Sequence, residues 1–227
     1  MSGRRLVMWD IDLTLIHGAG LGAEAFTRAF TAVTGVRPEW LPRFAGRTDR
    51  FITTEVFARH GLPEPDLPAF FARFAAELAA QAHLLPERGR VLPGAREVLG
   101  ALGERPAVVQ TAVTGNIPAN ARVKLSAFDL AGALDLTVGG YGDEHAVRAH
   151  LVAASRTRAE QRYGDFAEVV VVGDSVHDVE GALASGVTAI GVASGSTGAD
   201  ELRAAGADVV LDSLADVPAV VALLTGM

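Results

Sequence analysis

Apolar and polar positions along the 227-residue chain fall into two regimes. It opens with a short apolar run, Leu6 to Trp9, whose length and bounds predict a buried strand. Past Thr14 the period changes to that of helices. Ala25, Phe26, Ala29, Phe30 and Val33 fall at helical spacing, as do Ile52 and Val56 beside Phe57, and then Phe70, Phe71, Phe74, Leu78 and Leu85. Pro38, Pro42, Pro63, Pro65 and Pro68 keep these helices short. No strand-like alternation is visible there, so the stretch reads as a helical insertion. Gly18, Gly20 and Gly22 lead into it, and Pro86, Gly89 and Pro93 lead out.

From Leu92 onward the elements alternate. The pattern predicts a helix from about Gly94 to Leu102, a strand Ala107 to Val113, a helix from Pro118, a short strand near Leu136 to Val138 and a long helix from about Glu144 to Tyr163. There follow a strand Val169 to Val172, a helix from Val176, a strand Thr188 to Val192, a helix near Glu201, a strand Val209 to Leu211 and a helix Leu214 to Leu224. Near-continuous apolar strands separated by helices predict an α/β fold with a parallel sheet covered on both faces. Ligands of such sheets bind at the carboxyl ends of the strands.

Composition limits the picture without naming a function. At 49% hydrophobic the chain can bury a sizeable core, and with no cysteine it holds neither a disulfide nor a thiolate metal site. The leading segment Met1 to Arg5 runs straight into the first strand with no secretory pattern, and no stretch approaches the roughly 18 apolar residues of a membrane span. A soluble, cytoplasmic protein is expected. A net charge of −7 argues against nucleic acid as a partner. Residues 16–90 carry nine Arg against eight acids, a balance of +1 that leaves −8 for the remainder.

The chemistry lies at the predicted strand ends. Asp10 and Asp12 follow the first strand; two carboxylates so close repel unless a cation lies between them or one is protonated, and an acidic turn is the plain alternative. Thr114-Gly115-Asn116 precedes Pro118, and a hydroxyl, a glycine and the free N–H groups of a helix start can cradle an oxyanion or simply cap a helix. Lys124 is the single lysine among twenty basic residues. It lies about 9 Å along the helix from Pro118, at ~1.5 Å per residue, and leans back toward that cradle. Gly173-Asp174-Ser175-Val176-His177-Asp178 adds two more acids one helical turn apart. Four carboxylates at neighbouring strand ends call for a cation, and all-oxygen ligation suits Mg²⁺.

The ordered set, D-x-D-x-T at Asp10 to Thr14, T-G at Thr114, a lysine and G-D-x-x-x-D at Gly173 to Asp178, resembles the haloacid dehalogenase superfamily across essentially the whole chain. The chain looks like a member of the phosphoglycolate phosphatase-like kind, with a helical cap inserted between the first and second motifs. The resemblance implies a Rossmann-like core, residues 1–15 and 91–227, with an α-helical cap domain inserted at 16–90. It further implies Mg²⁺-dependent hydrolysis of a small-molecule phosphate ester through an aspartyl-phosphate, by a monomer or homodimer. Asp10 would attack phosphorus, Asp12 would handle the leaving-group proton, and Thr114, Gly115 and Asn116 would hold the phosphoryl oxygens. Asp10, the backbone carbonyl of Asp12 and Asp174 would hold the metal directly, and Asp178 would do so through water or by supporting the other ligands. Many relatives carry the third-motif lysine downstream of Gly139-Gly140, where this chain has Asp143, Glu144, His145 and Arg148. The role is therefore assigned to Lys124, with Arg148 as the substitute.

Within the cap, Gly46-Arg47-Thr48-Asp49 is the loop expected to face the site. Arg47 would grip a second anionic group, unless Thr48 or Asp49 merely caps a helix. His17 reads as a hinge residue or a substrate contact. The glycine-rich 193–198 segment lacks G-K-[ST] and reads as a strand-to-helix connection. A sugar phosphomutase and a non-catalytic ligand-binding descendant are the alternatives to a phosphatase.

Overall fold

In a computed structural model, which describes residues 3–226, the chain alternates as the apolar pattern requires; Met1, Ser2 and Met227 lie outside the described residues. The strands are β1 (Arg5–Trp9), β2 (Ile16–His17), β3 (Arg90–Val91), β4 (Val108–Thr114), β5 (Gly140–Tyr141), β6 (Glu168–Gly173), β7 (Thr188–Val192) and β8 (Val209–Leu211). Helices α1 (Leu21–Thr34), α2 (Asp49–Arg59), α3 (Leu67–Ala80) and α4 (Leu84–Arg88) lie between β2 and β3. The others are α5 (Ala95–Gly103), α6 (Pro118–Ala127), α7 (Arg148–Tyr163), α8 (Val176–Ala184), α9 (Ala199–Ala204) and α10 (Val217–Thr225).

Six strands form one parallel sheet in the order β5-β4-β1-β6-β7-β8, the Rossmann-like arrangement expected. Strand β1 sits where the winding reverses: the chain builds outward through β4 to β5, then returns to β6 on the other side of β1. Such a switch point opens a crevice at the carboxyl end of β1, directly above Asp10.

The alternation of β1 serves two apolar layers. Val7 and Trp9 join the cluster holding Leu99, Val220 and the helices after β2, whereas Leu6 and Met8 join Leu151, Val179 and Leu202. All four side chains are fully buried, worth roughly 1.5–3 kcal/mol each. The Trp9 indole N–H donates to Gln110 Oε1 at 3.2 Å, and Gln110 Nε2 donates to the Leu99 carbonyl at 2.9 Å, so the side-chain polar atoms of both residues are satisfied. In the helical segment Phe26 is an aromatic hub, with ring centroids of Phe44, Phe70 and Phe74 at 5.6, 5.2 and 5.6 Å.

Four local expectations are corrected. The 16–90 stretch is not wholly free of strand: β2 and β3 pair antiparallel, Ile16 with Val91 and His17 with Arg90, in a ribbon too short to show a period. The strand expected at Leu136 to Val138 is displaced to Gly140–Tyr141, because Asp135 Oδ1 captures the Thr137 N–H (3.0 Å) and hydroxyl (2.6 Å) in a turn. The long helix starts at Arg148 rather than Glu144, since Glu144 Oε1 turns back to the Tyr141 N–H and His145 Nδ1 accepts from Val147 N–H. A further shift, of the last helix to Val217, follows from Asp216 accepting the Ala219 N–H as its cap.

Among the described residues no helix is long and apolar enough to cross a membrane.

Candidate active site

The end of β1 delivers Asp10 by simple continuation: its N–H still donates to the Val172 carbonyl of β6 at 2.9 Å, while its side chain leaves the sheet. The next turn is tight. Leu13 takes φ +64, costly for a branched side chain, and is held by its N–H to Ile16 (2.7 Å) and by the Ser194 hydroxyl on its carbonyl (2.6 Å). The 193–198 segment is thus a connection from β7 to α9 that clamps the first motif from the side.

Above β1 and β4 lies a cavity of about 280 Å³. Asp10, Asp12, Thr114, Gly115, Asn116, Lys124 and Arg47 all line it, as do His17 and Arg148. Asp174 and Asp178 stand behind, where their carboxylate oxygens and that of Asp10 lie within 4.8 Å of one another.

Two cations divide the acids between them. Lys124 Nζ donates to Asp12 Oδ2 at 2.6 Å and to Asn116 Oδ1 at 2.7 Å, and Asn116 Nδ2 donates to the same Asp12 oxygen at 2.8 Å. Arg148 Nη2 meets Asp10 Oδ1 and Asp178 Oδ1, each at 2.6 Å. So it is Arg148, the substitute in the sequence reading, that touches Asp10, while Lys124 touches Asp12. Thr114 Oγ1 accepts from Asn116 Nδ2 at 2.8 Å and orients that amide. The Asp12 side chain stands apart from the three-acid cluster.

Charge and burial set the protonation of each acid. Burial, with Asp178 and Asp12 nearby, pushes the Asp10 carboxyl up to about 7 against the pull of Arg148. Burial and the neighbouring Asp10 and Asp178 charges push Asp174 up to about 9. For Asp12 the upward push of burial is outweighed by the Lys124 charge and by hydrogen bonds from Lys124 and Asn116, so it lies below the ordinary value.

The donor set fits a hard divalent cation. Asp174 Oδ2 is buried without a hydrogen-bond partner, and a Cβ at Gly195 would lie 1.8 Å from it, so any larger residue at 195 would displace the Asp174 carboxylate. Three oxygen donors carrying an excess of negative charge suit Mg²⁺ chemistry. Asp178 has a second duty: its Oδ2 accepts from the Ser175 hydroxyl (2.7 Å) and N–H (3.1 Å) in a capping box that starts α8.

The cap loop reaches the core through its backbone. Thr48 caps α2 by accepting the Phe51 N–H at 3.2 Å. Asp49 N–H donates to the Gly115 carbonyl at 2.7 Å and Arg50 N–H to the Gly142 carbonyl at 2.9 Å. A Cβ on Gly115 would come 2.0 Å from the Arg47 carbonyl oxygen, so this approach needs glycine there. The Arg47 guanidinium, just ahead of α2, folds onto that helix: it pairs with Glu55 at 3.0 Å and lies 4.7 Å over the Phe51 ring. Sequence reasoning gave Asp49 only a capping role, yet it is buried in the cavity wall with Oδ2 accepting the Ile117 N–H at 2.8 Å. The available signal was its position one residue after a threonine cap, which frees the aspartate side chain for another partner.

Comparison with known proteins bears on this geometry. A family model described as HAD-hydrolase-like matches residues 147–217. The chain is 28% identical over 218 residues to a phosphoglycolate phosphatase of Agrobacterium fabrum, covering 92% of this chain and 89% of that one. It is 30% identical over 219 residues to the probable phosphatase IndB of Dickeya dadantii, covering 93% and 91%. Among solved structures, a protein described as a predicted phosphatase from Clostridium acetobutylicum superposes with a TM-score of 0.72 at 20% identity over 100% of both chains. CbbY from Rhodobacter sphaeroides, in complex with phosphate, gives 0.69 at 21% over 94% and 96%. The similarity to the Dickeya protein runs over nearly the whole length of both chains, and the chain belongs to the haloacid dehalogenase-like hydrolases, as an enzyme of their phosphatase branch.

Proposed function

We propose that the protein hydrolyses a small phosphate monoester in two steps through a phosphorylated Asp10, with the 16–90 segment acting as a cap over the reaction. The observation that carries this reading is the convergence of Asp10, Asp12, Lys124 and Arg148 on one cavity at the strand-order switch point. In the first step an Asp10 carboxylate oxygen bonds to phosphorus, the bond from phosphorus to the leaving oxygen breaks, and Asp12 supplies the proton which that oxygen needs. In the second, water attacks phosphorus, the Asp10–phosphorus bond breaks, and Asp12 takes the water proton.

Lys124 and Asn116 fix the Asp12 carboxylate and favour its ionised form, the base of the second step. A phosphate dianion arriving beside it favours the protonated form that the first step uses. Arg148 holds Asp10 in line and brings a charge to the phosphoryl oxygens, while Thr114, Gly115 and the N-terminal N–H groups of α6 offer them donors. Asp10, Asp174 and Asp178 would hold Mg²⁺, with the Asp12 carbonyl as a further ligand. When bound, the cation would keep these acids ionised and offset the charge of the phosphoryl group. Release of inorganic phosphate from a panel of esters, with and without Mg²⁺, tests the proposal. Wild-type protein should show metal-dependent release and Asp10→Asn none, and turnover retained in that variant would refute it.

A further inference from the structure

The leaving-group half of the cavity carries an unexpected charge balance. Each Lys or Arg on its wall is already paired: Arg47 with Glu55, Lys124 with Asp12, and Arg148 with Asp10 and Asp178. Asp49 has one oxygen on the Ile117 N–H, and its other oxygen makes no hydrogen bond within the protein. It lies near enough to Lys124 and Asp12 to feel both charges. Phe44, Ile52 and Phe74 supply apolar wall, and His17 adds an imidazole to the lining. A subsite with an acceptor carboxylate, an imidazole and apolar faces suits hydroxyls on a carbon skeleton. It offers no free cation to a second anionic group.

We propose that Asp49 is a specificity-determining residue of this site, selecting phosphate esters whose leaving group is uncharged and hydroxyl-bearing over those that carry a carboxylate. The inference rests on the phosphatase reading above. It differs from the expectation that Arg47 would grip a second anion, because that guanidinium is held against α2 by Glu55 and Phe51. A hydroxyl donates to the free Asp49 oxygen, whereas a carboxylate in the same place meets a like charge and leaves Asp49 without a donor.

The test is a comparison of two esters with the same two-carbon skeleton, 2-hydroxyethyl phosphate and 2-phosphoglycolate, with phenyl phosphate as a third that has neither group. Assays run at pH 8 with Mg²⁺, above the value of about 7 to which burial raises Asp49. Wild-type protein should favour the hydroxyethyl ester in kcat/KM by about tenfold or more. Asp49→Asn keeps an acceptor for the Ile117 N–H but presents an amide N–H to the cavity. It should move the ratio toward the carboxylated ester by about tenfold, with phenyl phosphate turnover changed far less. A wild-type preference for 2-phosphoglycolate, or an unmoved ratio in Asp49→Asn, overturns the inference while leaving a phosphatase. Failure of wild type to hydrolyse any of the three overturns the phosphatase reading itself, and this inference with it. The wild-type ratio decides the matter even if the variant does not fold.

Discussion

Replacing Arg148 by Met removes a guanidinium that is itself buried and that joins Asp10 and Asp178, whose side chains are 7% and 2% exposed. Breaking a buried ion pair from one side leaves carboxylates without compensation, at a cost of about 3–5 kcal/mol. That is a large share of a domain stability of roughly 5–15 kcal/mol. Lys124→Met is the matched control. Its partner Asp12 is 38% exposed at the side chain, so water can rehydrate the carboxylate and the loss should be nearer about 1 kcal/mol. Urea unfolding of the metal-free proteins, followed by circular dichroism, reads the difference directly. Mg²⁺ should then rescue Arg148→Met more than it stabilises wild type, because a bound cation takes over the neutralising of Asp10 and Asp178. A loss below about 1 kcal/mol for Arg148→Met, or an equal loss for both variants, would refute the division of the site between two cations.

The other predictions concern the cap loop. Gly115→Ala puts a Cβ 2.0 Å from the Arg47 carbonyl oxygen and strains the hydrogen bond between Asp49 N–H and the Gly115 carbonyl. Steady-state kinetics should show KM rising by about tenfold, the size of one lost hydrogen bond, with little change in melting temperature; an unchanged KM would count against backbone closure at this point. Asp49 has a folded-state pKa of about 7, raised by burial, so the native state binds the extra proton and Asp49 favours folding fully only below the ordinary carboxylate range. That contribution fades as pH climbs from about 4 to 7. Chemical denaturation of Asp49→Asn should therefore show a variant that gains on wild type across this window, and parallel pH profiles would contradict the assignment.

Much of this molecule was legible in its sequence because strands and helices are local. The run Leu6 to Trp9, the four-valine run Val169 to Val172 and the strands Thr188–Val192 and Val209–Leu211 were readable because both faces of a parallel sheet are covered, leaving apolar residues at nearly every position. The acids were legible for a related reason: a carboxylate directly after a buried strand lies at that strand's carboxyl end, where the chain leaves the sheet. Short elements escaped, since the β2–β3 ribbon has two residues a side and the turn at Asp135 is settled by one side chain.

The sequence by itself determined the order of motifs, the alternation that makes the sheet, and the residue types able to do phosphoryl chemistry. The tertiary structure alone decided which cation meets which acid. Lys124 and Arg148 are 24 positions apart and both cationic, but α6 aims one at Asp12 while the first turn of α7 aims the other at Asp10. Only the closing of a loop over a distant helix start could likewise turn Asp49 from a residue beside a cap into part of the cavity wall. Such pairings depend on how packed layers bring remote backbone together, and no local spacing encodes that.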